Sequence, residues 1–144
     1  MRDGAPMIPV SWGELLDKIS ILEIKRRNIS AADKLTHVCD ELTALHEICE
    51  RLLPREACID PLFAELRAIN SELWDLENRL RVLDRAAIHD GRFIIVARVI
   101  RVRNDRRAQV KLAINEATRS PLVEEKQYST DAAPATEPLA EAAS

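Results

Sequence analysis

The chain has 144 residues, a formal net charge of −3, 47% hydrophobic residues and 31% charged ones. This is the composition of one globular domain with a real core, and the acidic balance argues against a dedicated nucleic-acid-binding protein. With only 3% aromatic residues and three glycines, we expect a helical protein whose core is built from Leu, Ile, Val and Ala.

The sequence also predicts where the protein works and how the chain is divided. It has no run of about 18 apolar residues, and residues 1–10 lack the hydrophobic segment of a signal peptide. Three cysteines without a close CxxC pair suit reduced thiols. We therefore expect a cytoplasmic protein with no membrane segment, made of a short lead (1–10), a single helical domain (11–128) and a disordered tail (129–144).

The first predicted helix runs from Ser11 to about Asn28. Ser11-Trp-Gly-Glu14 has the pattern of a capping box, in which the Ser11 hydroxyl and the Glu14 carboxylate each bond a backbone N–H of the other. The helix is apolar on two sides, which predicts a central position. Helical spacing places Glu23 within one apolar stripe and Asp17 within the other, so both carboxylates need polar partners or water.

Two long heptad seams predict the next two helices. The second helix follows Ser30, with Asp33 in its first turn, and is stopped by Pro54; the third begins at Asp60-Pro61. Matching seams joined by a short connection predict an antiparallel, coiled-coil-like hairpin of these two helices. The seam residues are Leu35, Val38, Leu42, Leu45, Cys49 and Leu52, and then Leu62, Leu66, Ile69, Leu73, Leu76, Leu80 and Leu83.

The fourth segment begins at Asp90-Gly91 and stops at Ser120-Pro121, and its middle allows two interpretations. Either Asn104-Asp105 caps a new helix after a kink, or one long helix turns its polar end into the bundle. We favour the kink, because Asn and Asp prefer caps to helix interiors. Residues 122–128 are predicted to form a short ordered strap across the bundle.

A polar shoulder lies beside the seam of the third helix, where Asn70, Trp74 and Glu77 share one side with Phe63. Trp74 can simply cover the edge of the core, with its polar neighbours in water. Alternatively, charged groups of both signs converge between helices and build either a structural ion network or a polar cleft. Buried ion pairs give little net stability by themselves, which motivates the cleft. The candidate ligand-binding residues are Asp17, Glu23, Asn70, Trp74, Glu77, Asn104, Asp105, Arg107 and Lys111.

Two further groups are weighed as binding sites. Five arginines between Arg98 and Arg107 could bind a phosphate-bearing ligand, an anionic peptide or RNA, but an exposed helix face paired with acidic neighbours explains them better. His46 and Cys49 lie one turn apart without a second ligand pair, so we interpret them as structural. We predict no metal, no cofactor and no catalytic residue.

The chain resembles a bacterial family of small helical proteins of uncharacterised function. The resemblance rests on IPVSWGELLDKISILEIK (8–25), INSELWDLENRLR (69–81), NDRRAQVKLAIN (104–115) and LVEEKQY (122–128). The lead MRDGAP and the tail after Tyr128 fall outside it. It implies a bacterial cytoplasmic protein and assigns no activity, so no functional residue is carried over from it.

The sequence thus predicts an all-α protein: a long helical hairpin with an N-terminal helix and a kinked C-terminal helix packed on it. For function we favour a non-catalytic binding or assembly module with a polar inter-helix cleft, working with a protein partner or as a homo-oligomer. The alternative is a small enzyme or sensor that binds an anionic metabolite, bearing phosphate or carboxylate, in that cleft. Neither a nucleic acid nor a membrane is an expected partner.

Overall fold

The computed structural model describes residues 4–122 and residue 125. The helices in these residues are α1 (Trp12–Asn28), α2 (Ala32–Leu52), α3 (Asp60–Arg85) and α4 (Gly91–Ala117). No strand occurs in the described residues, which confirms the predicted all-α class. Apart from residues 122 and 125, the predicted strap and the predicted disordered tail (129–144) lie outside the described residues.

Two of the predicted helix starts are confirmed by the hydrogen bonds of their caps. The Ser11 hydroxyl accepts from the backbone N–H of Glu14 at 3.1 Å, and the Asp90 carboxylate accepts from the backbone N–H of Arg92 at 3.0 Å. The Glu14 carboxylate, predicted to bond the N–H of Ser11, instead accepts from the Lys111 ammonium at 2.7 Å. The ion pair therefore replaces the second half of the capping box.

The starts of α2 and α3 differ from the predicted ones by about one residue. Ala31 is the N-cap of α2 and supplies no side-chain hydrogen bond, so Ser30 is not the cap. Ile59 is the N-cap of α3, and Asp60 is already the first helical residue. Neither shift moves a seam residue off its face.

Helix α1 lies at the centre of the bundle, as its two apolar sides predict. Its backbone packs closely against α2, α3 and α4, whereas α2 packs closely against α1 alone. Apolar side chains from all four helices form one core, which includes the fully buried Leu16, Ile19, Leu42, Leu66 and Ile114. Within the described residues no helix has both the length and the apolarity that a membrane span requires.

The predicted hairpin of α2 and α3 is wrong in its pairing. The most extensive backbone packing joins α3 to α4, and α2 and α3 make no comparable approach. The ion pairs Glu72–Arg103 and Glu65–Arg106 show that α3 and α4 run antiparallel. The reason is α1: because it is apolar on two sides, it packs on α2 and on the α3–α4 hairpin, and the buried seam residues form one core with it.

The predicted helix break at Asn104 is also wrong, because α4 continues through this residue to Ala117. Both polar side chains find partners inside the helix instead of capping it. The Asn104 side chain accepts from Arg107 at 3.5 Å, and the Asp105 carboxylate lies 3.7 Å from Arg101. The second interpretation is therefore correct: one long helix turns Arg107 and Lys111 toward α1.

Candidate functional site

Asp17 on α1 is buried, with 2% of its surface exposed, and it collects hydrogen bonds from two other helices. Arg107 on α4 donates from Nε to Oδ1 at 2.9 Å and from Nη2 to Oδ2. Asn70 on α3 donates to Oδ1 at 2.9 Å, and the Lys111 ammonium lies 3.9 Å from Oδ2. A single carboxylate therefore joins α1, α3 and α4.

These contacts fix the charge of Asp17. Burial by itself would raise the pKa of this carboxyl, because a low-dielectric surrounding disfavours the charged form. The hydrogen bonds from Arg107 and Asn70, together with the positive charges of Arg107 and Lys111, overcome that effect and lower the pKa of Asp17 below its ordinary value of 3.8. Asp17 is therefore ionised at neutral pH, and its negative charge neutralises a guanidinium.

Asn70 is held by its own set of bonds. Its amide donates to the hydroxyl of Ser20 at 2.5 Å as well as to Asp17. The Ser20 hydroxyl in turn donates to the backbone carbonyl of Asp17 at 2.9 Å. Because both the amide and the hydroxyl are buried, this small network fixes the register of α1 on α3.

A cleft of about 300 Å³ opens beside this cluster, between α1, α3 and α4. Its apolar part comes from aliphatic side chains of α1 and α3 and from the half-buried indole of Trp74. Its polar part comes from amide and charged side chains of α3 and α4. The lining residues are Ile21, Ile24, Asn70, Leu73, Trp74, Glu77, Asn78, Arg81, Asn104 and Arg107.

Five of the nine residues predicted for a ligand site line this cleft: Asn70, Trp74, Glu77, Asn104 and Arg107. Asp17 and Lys111 belong to the adjoining cluster: Asp17 pairs with Arg107, and Lys111 lies 3.9 Å from Asp17. The remaining two, Glu23 and Asp105, do not reach it.

Glu23 lies in a separate cluster between α1, α2 and α3. Arg67 donates to its two carboxylate oxygens at 2.8 Å each, and His46 lies 3.8 Å away. The Arg67 guanidinium also stacks on the Phe63 ring, 3.9 Å from its centroid. The hydrogen bond that Arg67 donates to Glu23 is the largest cause of a raised pKa of Arg67. This second carboxylate thus joins α1 to α3 and does not line the cleft.

Asp105 faces away from the cleft, since its partner Arg101 is an exposed residue on the outer side of α4. The arginines around it follow the same pattern. Arg103 pairs with Glu72 at 2.9 Å and Arg106 with Glu65 at 2.7 Å across the α3–α4 contact. The interpretation of this cluster as a helix face paired with acidic neighbours is confirmed for these three arginines, while Arg107 turns inward.

Two polar residues of the lining, Asn78 and Arg81, are not among the predicted site residues. They follow Trp74 by four and seven positions, so helical spacing places them on the same side of α3. This spacing can be seen in the sequence, but Asn and Arg are typical of a solvated helix face, and both residues are indeed exposed. Only the position of α1 shows that this part of α3 borders a cleft.

The N-terminus of α1 is held by a contact that no motif indicates. The backbone N–H of Gly13 donates to the side-chain oxygen of Asn115 at 2.7 Å, and that of Trp12 donates to the Ser120 hydroxyl at 3.3 Å. A Cβ on Gly13 would lie 2.5 Å from the carbonyl oxygen of Lys111. Close backbone packing thus requires glycine here and sets the distance between the N-terminus of α1 and the C-terminal part of α4.

The cysteine and histidine pair of α2 shows no binding geometry. In the described residues, no group of three His, Cys, Asp or Glu side chains is placed to hold a metal ion. Burial raises the pKa of the Cys49 thiol, which disfavours the reactive thiolate. His46 lies beside Glu23 and helps to enclose that carboxylate.

Comparison with known proteins gives one match. The model of a family of unknown function, DUF6165, matches residues 7–141. The match excludes the lead, as expected, but it extends past Tyr128, where we expected the resemblance to end. Searches of curated proteins and of solved structures gave no match. Because the family model covers most of the chain, the protein belongs to this family of unknown function.

Proposed function

We propose that this protein is a non-catalytic binding module, and that its cleft binds a polypeptide segment of balanced charge. The observation that supports this proposal most is that the buried carboxyl of Asp17 is held in its ionised form. A general acid or base needs a pKa near the working pH, whereas the contacts of Asp17 lower its pKa and hold it ionised. The buried charges are therefore matched to each other and serve to shape the cleft.

The charge balance of the cleft favours a peptide over a strongly anionic ligand. Arg107 is neutralised by Asp17 behind it, and Arg81 is offset by Glu77 on the same side of α3. What distinguishes the lining is a set of side-chain amides from Asn78 and Asn104 next to an indole and aliphatic groups. Amides can donate to and accept from a peptide backbone, and Trp anchors such contacts.

A small anionic metabolite is the second candidate, and one observation favours it. The guanidinium-bearing residues Arg81 and Arg107 line the same cleft, and guanidinium groups bind carboxylate and phosphate through paired hydrogen bonds. Such a ligand has to compete with Asp17 for Arg107. We therefore rank it below the peptide.

The free thiols support a location in a reducing compartment. Cys39, Cys49 and Cys58 are all unpaired, and disulfides are rare in the cytosol. We propose that the module works in the cytoplasm of a bacterium. Detection of the protein in the periplasmic fraction of cells that express it from its native gene would contradict this location.

The peptide proposal is tested by selection from a random peptide library displayed on phage, with the purified protein as bait. Selected peptides are then titrated calorimetrically into the wild type and into Trp74→Ala and Arg81→Glu. The matched control is Arg79→Glu, which makes the same charge change on α3 outside the cleft. We expect the affinity to fall about tenfold or more with the cleft variants and to be unchanged with the control.

Two results would overturn the proposal. One is a selection that yields no specific peptide, and the other is a set of peptides that bind the cleft variants as tightly as the wild type. In parallel, the melting temperature is measured with inorganic phosphate, citrate and a nucleotide panel. A rise in melting temperature that Arg81→Ala abolishes would make the anionic metabolite the correct candidate.

A further inference from the structure

Helix α4 carries large apolar side chains on the side that faces away from α1 and α3. Ile94, Ile95 and Val102 are 50%, 63% and 53% exposed, and Leu112 is 37% exposed. At about 100° of rotation per residue, these four side chains lie within roughly 100° of each other around the helix. The buried side of the same helix is formed by Val96, Ile100, Val110 and Ile114.

Helix α4 is therefore apolar on two sides, and within the described residues only one side is covered. The same property in α1 is explained by its central position. A single exposed apolar residue needs no explanation, but a stripe of four along one helix indicates an interaction surface. None of residues 4–122 covers the stripe, so we ask which occupant the charged residues along it would recognise.

The charged residues along this stripe identify the occupant. Arg98 and Arg101 lie in its N-terminal half, whereas Asp105 and Glu116 lie in its C-terminal half, and all four are at least partly exposed. A second copy of α4 laid antiparallel across the first can place Arg98 of each helix opposite Asp105 of the other, which forms two symmetric pairs of opposite charge. A parallel arrangement places Arg98 opposite Arg98 and Asp105 opposite Asp105. The Arg98–Asp105 pairs therefore favour the antiparallel orientation.

We infer that two copies of this protein pair through the outer faces of their α4 helices, antiparallel and about a two-fold axis. Placing Arg98 opposite the partner copy's Asp105 puts the axis between residues 101 and 102. Val102 and Arg101 flank this axis and each lies near its own symmetry mate, with Arg101 next to Asp105 of its own chain. Ile95 lies next to Ala108 and within about one turn of Leu112 of the other copy. The Arg101–Asp105 contact within one chain is long, at 3.7 Å, so Asp105 can accept an arginine of the second copy.

This pairing is independent of the proposed peptide binding and is compatible with it. The cleft is bordered by Asn104 and Arg107, which lie on the inner side of α4. The interface occupies the opposite side of the helix. Each copy in the dimer therefore keeps an open cleft.

The dimer is tested by sedimentation equilibrium of the full chain over a range of protein concentrations. Three charge variants carry the test: Arg98→Asp, Asp105→Arg, and the double exchange of both. We expect each single variant to weaken dimerisation about tenfold or more, since each places like charges together. The double exchange recreates the opposite-charge pairs and restores dimerisation. Lys34→Glu on α2, an exposed charge reversal elsewhere, is the matched control and should have no effect.

Two apolar variants, Ile95→Lys and Val102→Lys, test the stripe itself and should give monomers whose circular dichroism is unchanged. A wild type that is monomeric at every concentration would overturn the inference. So would a dimer that tolerates both lysine variants, because its interface would lie elsewhere. A dimer that the single charge variants weaken but the double exchange does not restore would rule out the antiparallel register.

Discussion

Asp17 on α1 and Arg107 on α4 form an ion pair with two hydrogen bonds, and the carboxylate is buried almost completely. Asn70 on α3 donates to the same carboxylate at 2.9 Å. Arg107 also lines the cleft. The Asp17 end of the pair is therefore buried between the helices, and the Arg107 end is accessible from the cleft. The geometry of the cleft and the packing of three helices therefore depend on one carboxylate.

Removing this carboxylate should be costly. Asp17→Ala removes the carboxylate that pairs with Arg107 and lies near Lys111, and these two side chains are 28% and 12% exposed. Lys111 keeps its ion pair with Glu14. We expect the free energy of unfolding to fall by about 3 kcal/mol or more, which is typical when one partner of a buried pair is removed. Urea denaturation followed by circular dichroism measures this change.

Glu23→Ala is the matched comparison, because it removes the other carboxylate that α1 buries. Its partner Arg67 keeps 48% of its side chain exposed and can return to water when Glu23 is lost. We therefore expect a smaller decrease in the free energy of unfolding, of about 1–2 kcal/mol. Equal effects of the two substitutions would show that Asp17 has no special role in holding the helices.

The lowered pKa of Asp17 predicts an acid dependence of stability. In the unfolded chain its pKa returns to the ordinary value of 3.8, so the folded protein binds this proton less readily than the unfolded chain does. The resulting stabilisation is complete above that value, shrinks as the pH falls below it, and is lost once the pH lies below the folded pKa.

Asp17→Asn isolates this dependence from that of the other carboxyls. The difference in free energy of unfolding between wild type and Asp17→Asn should be constant near neutral pH and should decrease as the pH falls below about 4. Denaturation at a series of pH values measures it. A difference that does not change with pH would mean that Asp17 titrates alike in the folded and unfolded states.

Close packing of α1 on α4 makes Gly13 intolerant of a side chain. An alanine Cβ would lie 2.5 Å from the carbonyl oxygen of Lys111 and 2.8 Å from the Asn115 side-chain oxygen. We expect Gly13→Ala to lower the free energy of unfolding by about 1–3 kcal/mol. Gly91→Ala is the control, since nothing lies within 4 Å of its Cβ position, and it should be neutral or slightly stabilising. Similar melting temperatures for both variants would contradict the close approach.

The exposed arginine pairs between α3 and α4 should contribute little. Arg103 keeps 42% and Arg106 49% of its side chain exposed, and pairs of this kind give about 0–1 kcal/mol. We expect Arg103→Ala and Arg106→Ala each to change the free energy of unfolding by less than about 1 kcal/mol. Losses as large as that of Asp17→Ala would show that these pairs hold the hairpin together.

Local features of the fold could be predicted from the sequence because they depend on neighbouring residues. The Ser11 and Asp90 caps, the two apolar sides of α1 and the inward position of Asp17 all follow from spacing along one helix. Pairing of the helices does not, because the seams of α2 and α3 fit each other as well as they fit α1. Helix α2 packs on α1 and not on α3, because α1 takes the place beside each of them.

The positions of individual side chains relative to the cleft also depend on helix packing. Asn104 has a preference for caps, but Arg107 and the packing of α4 against α1 and α3 keep it helical. Glu23 was correctly placed on a buried face, but its partner Arg67 lies on a part of α3 away from the cleft. Helical spacing places Asn78 and Arg81 on the same side of α3 as Trp74. Only the position of α1 shows that this side borders a cleft.

A double-mutant cycle on Asp17 and Arg107 tests the central relationship most directly. The free energies of unfolding of the wild type, Asp17→Ala, Arg107→Ala and the double variant give the coupling energy between the two side chains. We predict a coupling of about 1.5–3 kcal/mol, because the pair is buried and joined by two hydrogen bonds. A coupling below about 0.5 kcal/mol, the scatter expected for independent sites, would contradict the claim that this pair holds α1 on α4.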